Sequence, residues 1–446
     1  MGKQSKFEVG LIKLTIDNSY SKIEGLSVAQ HRSLKKLLSY KIDAQTVYHS
    51  GGFRREKSLL GAKGDFPSGL LIRVNKWLWD NHITHTTYVL NKRPPAQTDW
   101  KFNLKLLITP YKEQRYASRV AYESDRGTIS MPTGSGKSVT MALLVACYNT
   151  RTLIIVPNLT LKQQLTESFT EWFGSLENIT ITNIDDPNLI NEREYGLLII
   201  DESHHVAAKT YRTLNKKAWN GIANRYYFTA TAFRADAEEQ MLMEAISGDV
   251  IYKLTYKDAL ASRMIAPIEA YYVEVPKTST DAVTWREVYD DLIVNNELRN
   301  VLISGILVTL TDSNASTLCL VKEIAHGDAL SKVTEIQFAN GQIEGSSELI
   351  REFAAKRSNS LIATTGVCGE GVDTKAAEYV IIAGLGRSKP SFMQQCGRVM
   401  RKYEGKESGK VIIFRDASHK FTLRHFREQC KILKDEFGVI PVRLDI

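Results

Sequence analysis

Residues 128–138 read TISMPTGSGKS, and this stretch determines how the chain on either side of it is interpreted. Residues 128–131 have the length and composition of a buried strand, and residues 139–148 those of an apolar helix. Gly134 and Gly136 allow a tight loop to turn its backbone N–H groups inward, where they can bind phosphate. The helix N-terminus adds the positive end of its dipole. The segment therefore predicts a strand, a phosphate-binding loop and a helix.

The residue types of this loop fit a nucleoside triphosphate. Lys137 can reach the β- and γ-phosphates of ATP, and the Ser138 hydroxyl can hold Mg²⁺. A strict phosphate-loop pattern begins with glycine, whereas Met131 stands at that position, so the loop is a variant of the pattern. The residues predicted to bind the nucleotide here are Thr133, Gly134, Ser135, Gly136, Lys137 and Ser138.

A second apolar run, residues 197–200, ends in a pair of acidic residues. Asp201 is predicted to hold Mg²⁺, directly or through water, and Glu202 to orient and deprotonate an attacking water molecule. Taken alone, such a pair is more commonly an acidic helix cap. Because the pair follows Lys137 on a second strand, catalysis is the favoured interpretation.

The pattern from residue 101 onward is that of short apolar runs alternating with amphipathic helices. Two series of runs indicate two doubly wound α/β domains with parallel sheets. The predicted strands are 128–131, 152–156, 197–200 and 226–228, then 317–321, 361–363, 380–383 and 411–414. The first 100 residues predict a small α+β domain, with strands at 7–16 and 86–90, helices at 28–40 and 69–82, and Ser27 as a helix cap. The predicted domains are 1–100, 101–262 and 263–446.

The positive charge is concentrated at the N-terminus. Net charge is +8, and residues 1–105 hold 18 Lys+Arg against 8 Asp+Glu, which leaves 40 against 42 in the rest of the chain. A localised excess of this kind suggests a module that faces a polyanion, although a solvated face without a ligand is the alternative.

Composition excludes several other classes of protein. The apolar runs are far shorter than the ~20 residues that span a bilayer, so no membrane partner is expected. The five cysteines are odd in number and form no C-x-x-C pair, so they predict reduced thiols in a cytoplasmic protein and not a zinc site.

Six motifs in order resemble those of the superfamily-two helicases of the DExH type, over residues ~105–446. Besides the phosphate loop and the acidic pair, the segments that carry the resemblance are VPN at 156–158, TAT at 229–231, TTGVCGEGVD at 364–373 and QQCGRVMR at 394–401. Within the superfamily, the LVK at 320–322 and the basic N-terminal region look most like phage-encoded helicases of the branch-migration type. For a phage-encoded protein, the compartment would be the host cytoplasm.

The resemblance implies tandem RecA-like domains and several further roles. Arg398 and Arg401 would be arginine fingers supplied in cis, and they would lie on one helical face if residues 391–402 form a helix. Gln394 would lie near the γ-phosphate, Gly371 would let the chain turn near the nucleotide, and Asp373 would bond its ribose. Gln114 would read adenine, but two extra residues separate it from Tyr111, which departs from the family pattern.

Nucleic-acid contacts are also implied. In the superfamily, both motor domains bind one strand mainly through its phosphates, which predicts sequence-tolerant binding with a strong salt dependence. The candidate contacts in the motor are Pro157, Asn158, Arg234, Lys322, Thr364 and Thr365. In the N-terminal domain they are Lys35, Lys36, Arg54, Arg55 and Lys57, which we expect to hold duplex arms. Trp77 and Trp79 are expected to be core residues, with a platform for stacking bases as the alternative.

The sequence therefore predicts an ATP- and Mg²⁺-dependent DNA helicase or translocase that unwinds or branch-migrates forked and junction DNA in replication, recombination or repair. Its partner would be DNA, as a single-stranded track and duplex arms. An RNA helicase is one alternative, because phosphate contacts reveal little about the sugar. A duplex translocase subunit that does not separate strands is another, and a nucleotide-gated sensor without catalysis is a third.

Overall fold

Two parallel sheets and a smaller mixed sheet carry most strands of the computed structural model of this chain. It describes residues 11–41, 56–90, 109–124, 126–186, 195–231, 237–368, 374, 376–384, 386 and 388–445. Residue contacts divide the chain into two compact units. The first consists of Met1–Ser130 and Ser138–Lys253, and the second of Met131–Lys137 and Leu254–Ile446.

The N-terminal part of the first unit is a four-stranded mixed sheet with two helices. Its strands are β1 Ile12–Ile16, β2 Tyr20–Glu24, β5 Asp65–Pro67 and β6 His85–Val89, in the order β5-β2-β1-β6. A separate hairpin pairs β3 Ser39–Lys41 with β4 Glu56–Ser58. The helices are α1 Val28–Leu37 and α2 Leu71–Asp80. Ser27 caps α1 through a capping box with Gln30, as the sequence predicts.

The larger sheet of the first unit has six strands, all parallel. The order is β12-β7-β11-β10-β8-β9. The strands are β7 Arg126–Ser130, β8 Thr152–Val156, β9 Ile179–Asn183, β10 Leu197–Ile200, β11 Asn224–Thr229 and β12 Val250–Lys253. Every residue of β8, β10 and β11 is buried, because helices cover both faces of a doubly wound sheet. The helices are α3 Lys112–Ser124, α4 Lys137–Tyr148, α5 Leu159–Phe173, α6 Lys209–Lys217 and α7 Ala237–Ser247.

The small mixed sheet shares its hydrophobic core with the six-stranded part of this unit. Met241, Leu242 and Ala245 of α7 pack in one cluster with Leu14, Phe66 and other buried residues of the N-terminal sheet. Gly69 approaches α7 so closely that a Cβ there would lie 2.2 Å from the carbonyl oxygen of Glu244. The N-terminal elements are therefore packed onto the same body that carries the phosphate loop's strand and helix.

A buried arginine strengthens this junction with polar contacts. Arg225 of β11 donates through Nη1 to Asn215 Oδ1 at 2.6 Å and through Nη2 to Ser19 Oγ at 3.2 Å. Ser19 Oγ in turn donates to the Asn215 carbonyl at 2.5 Å. Burial lowers the pKa of the Arg225 guanidinium, since removing a cation from water disfavours its charged form. These hydrogen bonds replace hydration that the group loses.

The second unit contains a seven-stranded parallel sheet, ordered β15-β16-β14-β17-β18-β13-β19. Its strands are β13 Ile268–Val275, β14 Thr317–Val321, β15 Phe338–Ala339, β16 Ser360–Thr364, β17 Tyr379–Ile382, β18 Gly409–Asp416 and β19 Val442–Arg443. The helices are α8 Tyr256–Ala261, α9 Trp285–Tyr289, α10 Glu297–Asp312, α11 Ile324–Thr334, α12 Ser346–Ala354, α13 Lys389–Gly397 and α14 Lys420–Ile432. Five-residue π-helical segments, Asp290–Val294 and Leu433–Phe437, follow α9 and α14.

These sheets confirm the predicted fold class of two RecA-like doubly wound domains preceded by a small α+β region. The prediction of three domains with boundaries at 100 and 262 stays a prediction. Two local expectations were wrong. The helix expected over 391–402 is α13 and ends at Gly397, and Trp79 is 82% exposed whereas Trp77 is buried. No helix in the described part of the chain is both long and apolar enough to cross a membrane.

Candidate nucleotide and nucleic-acid sites

The phosphate loop lies between β7 and α4, where the sequence predicts it. The strand ends at Ser130 and the helix begins at Lys137, so Ser138 lies in the first helical turn. Gly134 and Gly136 have φ angles of 83° and 79°, which only glycine adopts without strain. Ser135 is buried, and its Oγ donates to the Pro132 carbonyl at 2.7 Å. The loop therefore has a short-range bond of its own and leads into the N-terminus of α4, the end of a helix that favours anions.

The acidic pair follows β10 directly, at the same sheet edge as the loop. In the parallel register, Ile200 of β10 lies beside Ile155 of β8 and Tyr227 of β11, and Thr229 of β11 lies beside Ser130 of β7. The carboxyl ends of these strands thus share one edge, which is where open α/β sheets bind ligands. Asp201 and Glu202 are both buried there.

Glu202 is held in an unusual backbone conformation. Its φ and ψ are 46° and 50°, the left-handed region that disfavours side chains other than Gly, Asn and Asp. Its N–H donates to Asp201 Oδ1 at 2.9 Å. The His204 ring lies close by, with 3.4 Å between Nδ1 and Glu202 Oε2. Strained non-glycine residues of this kind are concentrated at functional sites, which agrees with the predicted catalytic role of Glu202.

Gln114 lies in the first turn of α3 and is buried. Its side-chain oxygen Oε1 accepts a hydrogen bond from the Tyr111 N–H at 2.9 Å. The two residues that separate Tyr111 from Gln114 therefore place the glutamine three positions on, where it caps the helix start. The role of Gln114 toward adenine stays a prediction.

The segments after β8 and β11 use their polar side chains to shape the backbone. Asn158 caps α5, because its side chain accepts from the Leu161 N–H at 2.8 Å, and Pro157 precedes it. The Thr229 hydroxyl donates to the Thr231 carbonyl and accepts from the Thr231 N–H, each at 3.1 Å. These bonds hold the two strand ends in fixed conformations beside the acidic pair.

Three predicted phosphate contacts of the second unit come together at one edge of its sheet. Val321, the last residue of β14, is the register partner of Thr364, and the Thr365 N–H donates to the Val321 carbonyl at 2.8 Å. Lys322 follows immediately, is exposed, and places its Nζ 5.3 Å from the Tyr289 ring centroid. Lys322, Thr364 and Thr365 therefore form a single polar rim, as expected for adjacent parallel strand ends.

The two arginines of the QQCGRVMR segment lie beyond the end of α13. Gln394 is within the helix, but Arg398 caps it and Arg401 follows a tight turn. The turn continues with i→i−3 bonds, in which the N–H groups of Arg398 and Met400 donate to the carbonyls of Gln395 and Gly397 at 3.1 and 3.3 Å. The chain leaves the helix because the Met400 carbonyl accepts from the Ala266 N–H at 2.7 Å. The prediction of one common helical face is wrong for that reason.

Sequence reasoning missed two residues that hold this turn. Thr374 Oγ1 donates to the Arg398 carbonyl at 3.2 Å, and Lys406 Nζ donates to the Arg401 carbonyl at 3.3 Å. Neither residue belongs to a helicase motif in the sequence. The only signal was their proximity in the chain to the TTGVCGEGVD and QQCGRVMR segments, which does not distinguish them from their neighbours.

The basic N-terminal surface is present in part among the described residues. Lys35 and Lys36 are exposed in the last turn of α1, and Lys57 is exposed on β4. The hairpin is close to this helix end, since Ser39 Oγ donates to the Lys35 carbonyl at 2.5 Å. Arg73, in contrast, forms an ion pair within the protein: its Nε donates to Glu244 Oε2 of α7 at 2.8 Å.

Some predicted site residues lie outside the described residues, namely Gly371, Asp373, Arg234, Arg54 and Arg55.

The cysteines are described, and burial raises the pKa of each thiol, to about 11 for Cys368 and about 12 for Cys319. They are accordingly poor nucleophiles at neutral pH. Within the described ranges, no three His, Cys, Asp or Glu residues are grouped to hold a metal ion.

Comparison with protein families identifies both halves of the motor. Residues 98–192 match the family described as "Type III restriction enzyme, res subunit", and residues 299–403 match "Helicase conserved C-terminal domain". The first match covers the phosphate loop and the second covers Lys322, Thr364, Arg398 and Arg401.

Individual proteins are similar at low identity. A helicase-designated protein of Sulfolobus islandicus filamentous virus is 24% identical over 92% of this chain and 81% of its own length. The ATP-dependent DNA helicase uvsW of Enterobacteria phage T4 is 20% identical over 68% of each chain. Among solved structures, S. cerevisiae Dbp5 bound to RNA and ADP BeF3 has a TM-score of 0.57 at 14% identity and covers 75% of this chain and 90% of its own. That likeness shows the fold alone.

Proposed function

This chain belongs to the superfamily-two helicases, which hydrolyse ATP, and on that premise we propose that it is a DNA motor that remodels forked and junction DNA. The observation that carries the proposal is the shared sheet edge of the first unit, at which β7 leads into the phosphate loop and β10 leads into Asp201–Glu202. The phage T4 relative, named as a DNA helicase, supports DNA as the track.

The nucleotide would bind at the phosphate loop. Backbone N–H groups of the loop and the Lys137 ammonium would bind the β- and γ-phosphates, and Gln114 would contact the adenine. Glu202, which is buried beside Asp201, would take the proton of the attacking water. Thr133 and Ser135 complete the loop.

A magnesium ion fits the side chains at this edge. The Ser138 hydroxyl and the buried Asp201 carboxylate are hard oxygen ligands, and Mg²⁺ is usually held by one or two such groups together with substrate phosphates. When bound, the ion would neutralise charge on the phosphates.

Charge that develops on the γ-phosphate during hydrolysis would be stabilised by arginine. Arg398 and Arg401 are proposed for this role, with Gln394 near the same phosphate. Gly371 and Asp373 would contact the nucleotide as the family resemblance implies. Hydrolysis would then be coupled to steps along the nucleic acid.

The single-stranded track would follow the polar strand ends. Hydroxyl donors at Thr364 and Thr365, with the Lys322 ammonium, suit phosphate oxygens and carry little sequence information. In the first unit, Pro157 and Asn158 are at the corresponding position after β8, and Arg234 is a further candidate.

Duplex arms would be held by the basic surface of the first unit. Lys35, Lys36 and Lys57 are exposed, and Arg54 and Arg55 are proposed to join them. Helix α6 adds exposed Lys209, Lys216 and Lys217, and it contains no acidic residue. Such a surface would make binding strongly dependent on salt, with the logarithm of affinity falling by about 0.9 per neutralised phosphate for each logarithmic unit of salt.

The proposal is tested by ATPase rates without nucleic acid and with single-stranded DNA, duplex DNA, a four-way junction and matched RNA. We expect stimulation by DNA, greatest with the junction, and none for Lys137→Ala, which removes the cation that binds the phosphates. Stimulation chiefly by RNA would move the assignment to RNA remodelling. A wild-type protein without ATPase under any condition would contradict the motor itself.

A duplex translocase that does not separate strands is the second candidate. The observation that favours it is the match of residues 98–192 to a restriction-enzyme family. Displacement of a third strand from a triplex, without release of either strand of a fork, would identify this activity. Release of fork strands would support the leading proposal.

A further inference from the structure

The turn that carries the two motif arginines depends on contacts from outside its helix. Since α13 ends at Gly397, the carbonyls of Arg398 and Arg401 have left the helical hydrogen-bond pattern. Two side chains donate to them: Thr374 to Arg398 at 3.2 Å and Lys406 to Arg401 at 3.3 Å. Each donor lies close in the chain to a helicase motif without belonging to one.

Lys406 makes a second contact that joins two segments. Its Nζ also donates to the carbonyl of Ala377, at 2.5 Å. Ala377 follows the fifth motif and is anchored by its own N–H, which donates to the Thr374 carbonyl at 2.9 Å. A turn from Tyr403 to Lys406, with Gly405 at φ 78°, brings the lysine side chain back toward Arg401. One ammonium thus bridges the segment after the fifth motif and the end of the sixth.

The Lys406 ammonium lies in a partly buried site among other charged side chains. The pKa of Lys406 is lowered to about 8, chiefly by burial; Glu378 opposes the lowering, and the positive charges of Arg401 and Lys356 add to it. Lys356 Nζ lies 3.7 Å from Glu378 Oε1 and 4.6 Å from the Tyr403 ring centroid. A lysine held in such a site gives up hydration, and hydrogen bonds to two carbonyls compensate for that loss.

We propose that Lys406 is a positioning residue for Arg401, which it serves by clamping the Arg401 carbonyl to that of Ala377. The inference rests on the proposed role of Arg401 in ATP hydrolysis. A side chain that stabilises a transition state must be held within about 0.5 Å of its productive position. The clamp restrains the backbone from which the guanidinium extends, so its loss would reduce the rate of the chemical step more than nucleotide binding.

The first test compares Lys406→Met, Lys406→Arg and Lys410→Met in the full chain, with saturating single-stranded DNA. Methionine keeps the length of the side chain and removes its donor, and we expect a roughly tenfold lower kcat with KM for ATP nearly unchanged. Arginine can donate to both carbonyls, so it should restore most of the rate. Lys410, which lies over the Tyr379 ring at 4.9 Å on the neighbouring strand, is the matched control and should keep the wild-type kcat. A Lys406→Met protein with unchanged kcat would overturn the proposal.

A double-mutant cycle separates this inference from the role of Arg401 itself. If Lys406 acts through Arg401, Arg401→Ala lowers kcat and adding Lys406→Met lowers it no further. Multiplicative losses would show that Lys406 acts independently of Arg401, which overturns the clamp. An Arg401→Ala protein with full kcat would instead refute the proposed arginine role, on which the clamp depends.

The pH profile provides a readout that a merely structural lysine would not change. The charged ammonium makes the stronger clamp, and its pKa of about 8 means that the charge is lost as pH rises through that value. Guanidinium stays protonated throughout this range. The ratio of wild-type kcat to Lys406→Arg kcat should therefore fall as pH passes about 8. A constant ratio would contradict a role for the ammonium charge.

Discussion

The acidic pair of the first unit and the arginine pair of the second are held in position by different means. Asp201 and Glu202 follow a four-residue buried strand, and the register of the parallel sheet carries them to the edge. Arg398 and Arg401 lie past a helix end, on a turn whose carbonyls are bonded by Thr374 and Lys406. The first arrangement depends on the register of a buried sheet and the second on side chains that bond the carbonyls of a turn, so substitutions should affect them differently.

The largest expected effect is at Glu202, which is both the proposed catalytic base and a residue with a left-handed backbone conformation. Glu202→Gln removes the base and should lower ATP hydrolysis by about 10²–10⁴-fold, while ATP still binds. Because φ is 46° at this position, asparagine should be tolerated better than glutamine. The free energy of unfolding of Glu202→Asn should therefore exceed that of Glu202→Gln by up to about 1 kcal/mol. Single-turnover hydrolysis and urea unfolding measure the two quantities. Equal stability of the two variants would show that the backbone conformation stores no strain.

A smaller effect is expected at the turn of the second unit that carries Arg398 and Arg401. A Cβ at Gly409, the first residue of β18, would lie 2.2 Å from the Val399 carbonyl oxygen. Gly409→Ala should therefore lower the free energy of unfolding by about 1–3 kcal/mol and reduce kcat, because it displaces the turn that carries the arginines.

The matched control for that variant is Gly305→Ala in α10. Among the residues that the structure describes, nothing lies within 4 Å of a Cβ at this exposed position, so alanine should raise the free energy of unfolding by about 0.5–1 kcal/mol through its higher helix propensity. A Gly409→Ala protein with the stability and kcat of the wild type would show that the turn is not constrained by β18.

The smallest expected effect is at the junction between the N-terminal sheet and α7. Arg73 pairs with Glu244, and the Arg73 side chain is about one-third exposed, which limits the contribution of the pair to about 0.5–1 kcal/mol. Arg73→Met should lower the urea midpoint slightly. Lys76→Met, on the exposed face of the same helix, should leave the midpoint unchanged. Equal effects of both would argue against a specific contact at Arg73.

The local sequence pattern predicted those elements whose structure depends on residues close together in the chain. The strand at 197–200 matches β10 residue for residue, and the helix after the phosphate loop begins at Lys137, two residues before the predicted start. These elements follow from short apolar runs and from glycines that permit positive φ. The expectation failed at α13 because the helix gives way to a turn whose carbonyls are bonded by other segments. It failed at Trp79 because residues two positions apart on a helix point to opposite sides.

The sequence by itself determined the two parallel sheets, the phosphate loop, the acidic pair and the order of the motifs, because hydrophobic period and turn residues act over a few positions of chain. Only the tertiary structure decided that α13 stops before its arginines and that Lys406 bonds the carbonyls of both Ala377 and Arg401. Those outcomes depend on which carbonyls and N–H groups are left unpaired once distant segments pack together, and no local pattern records that accounting.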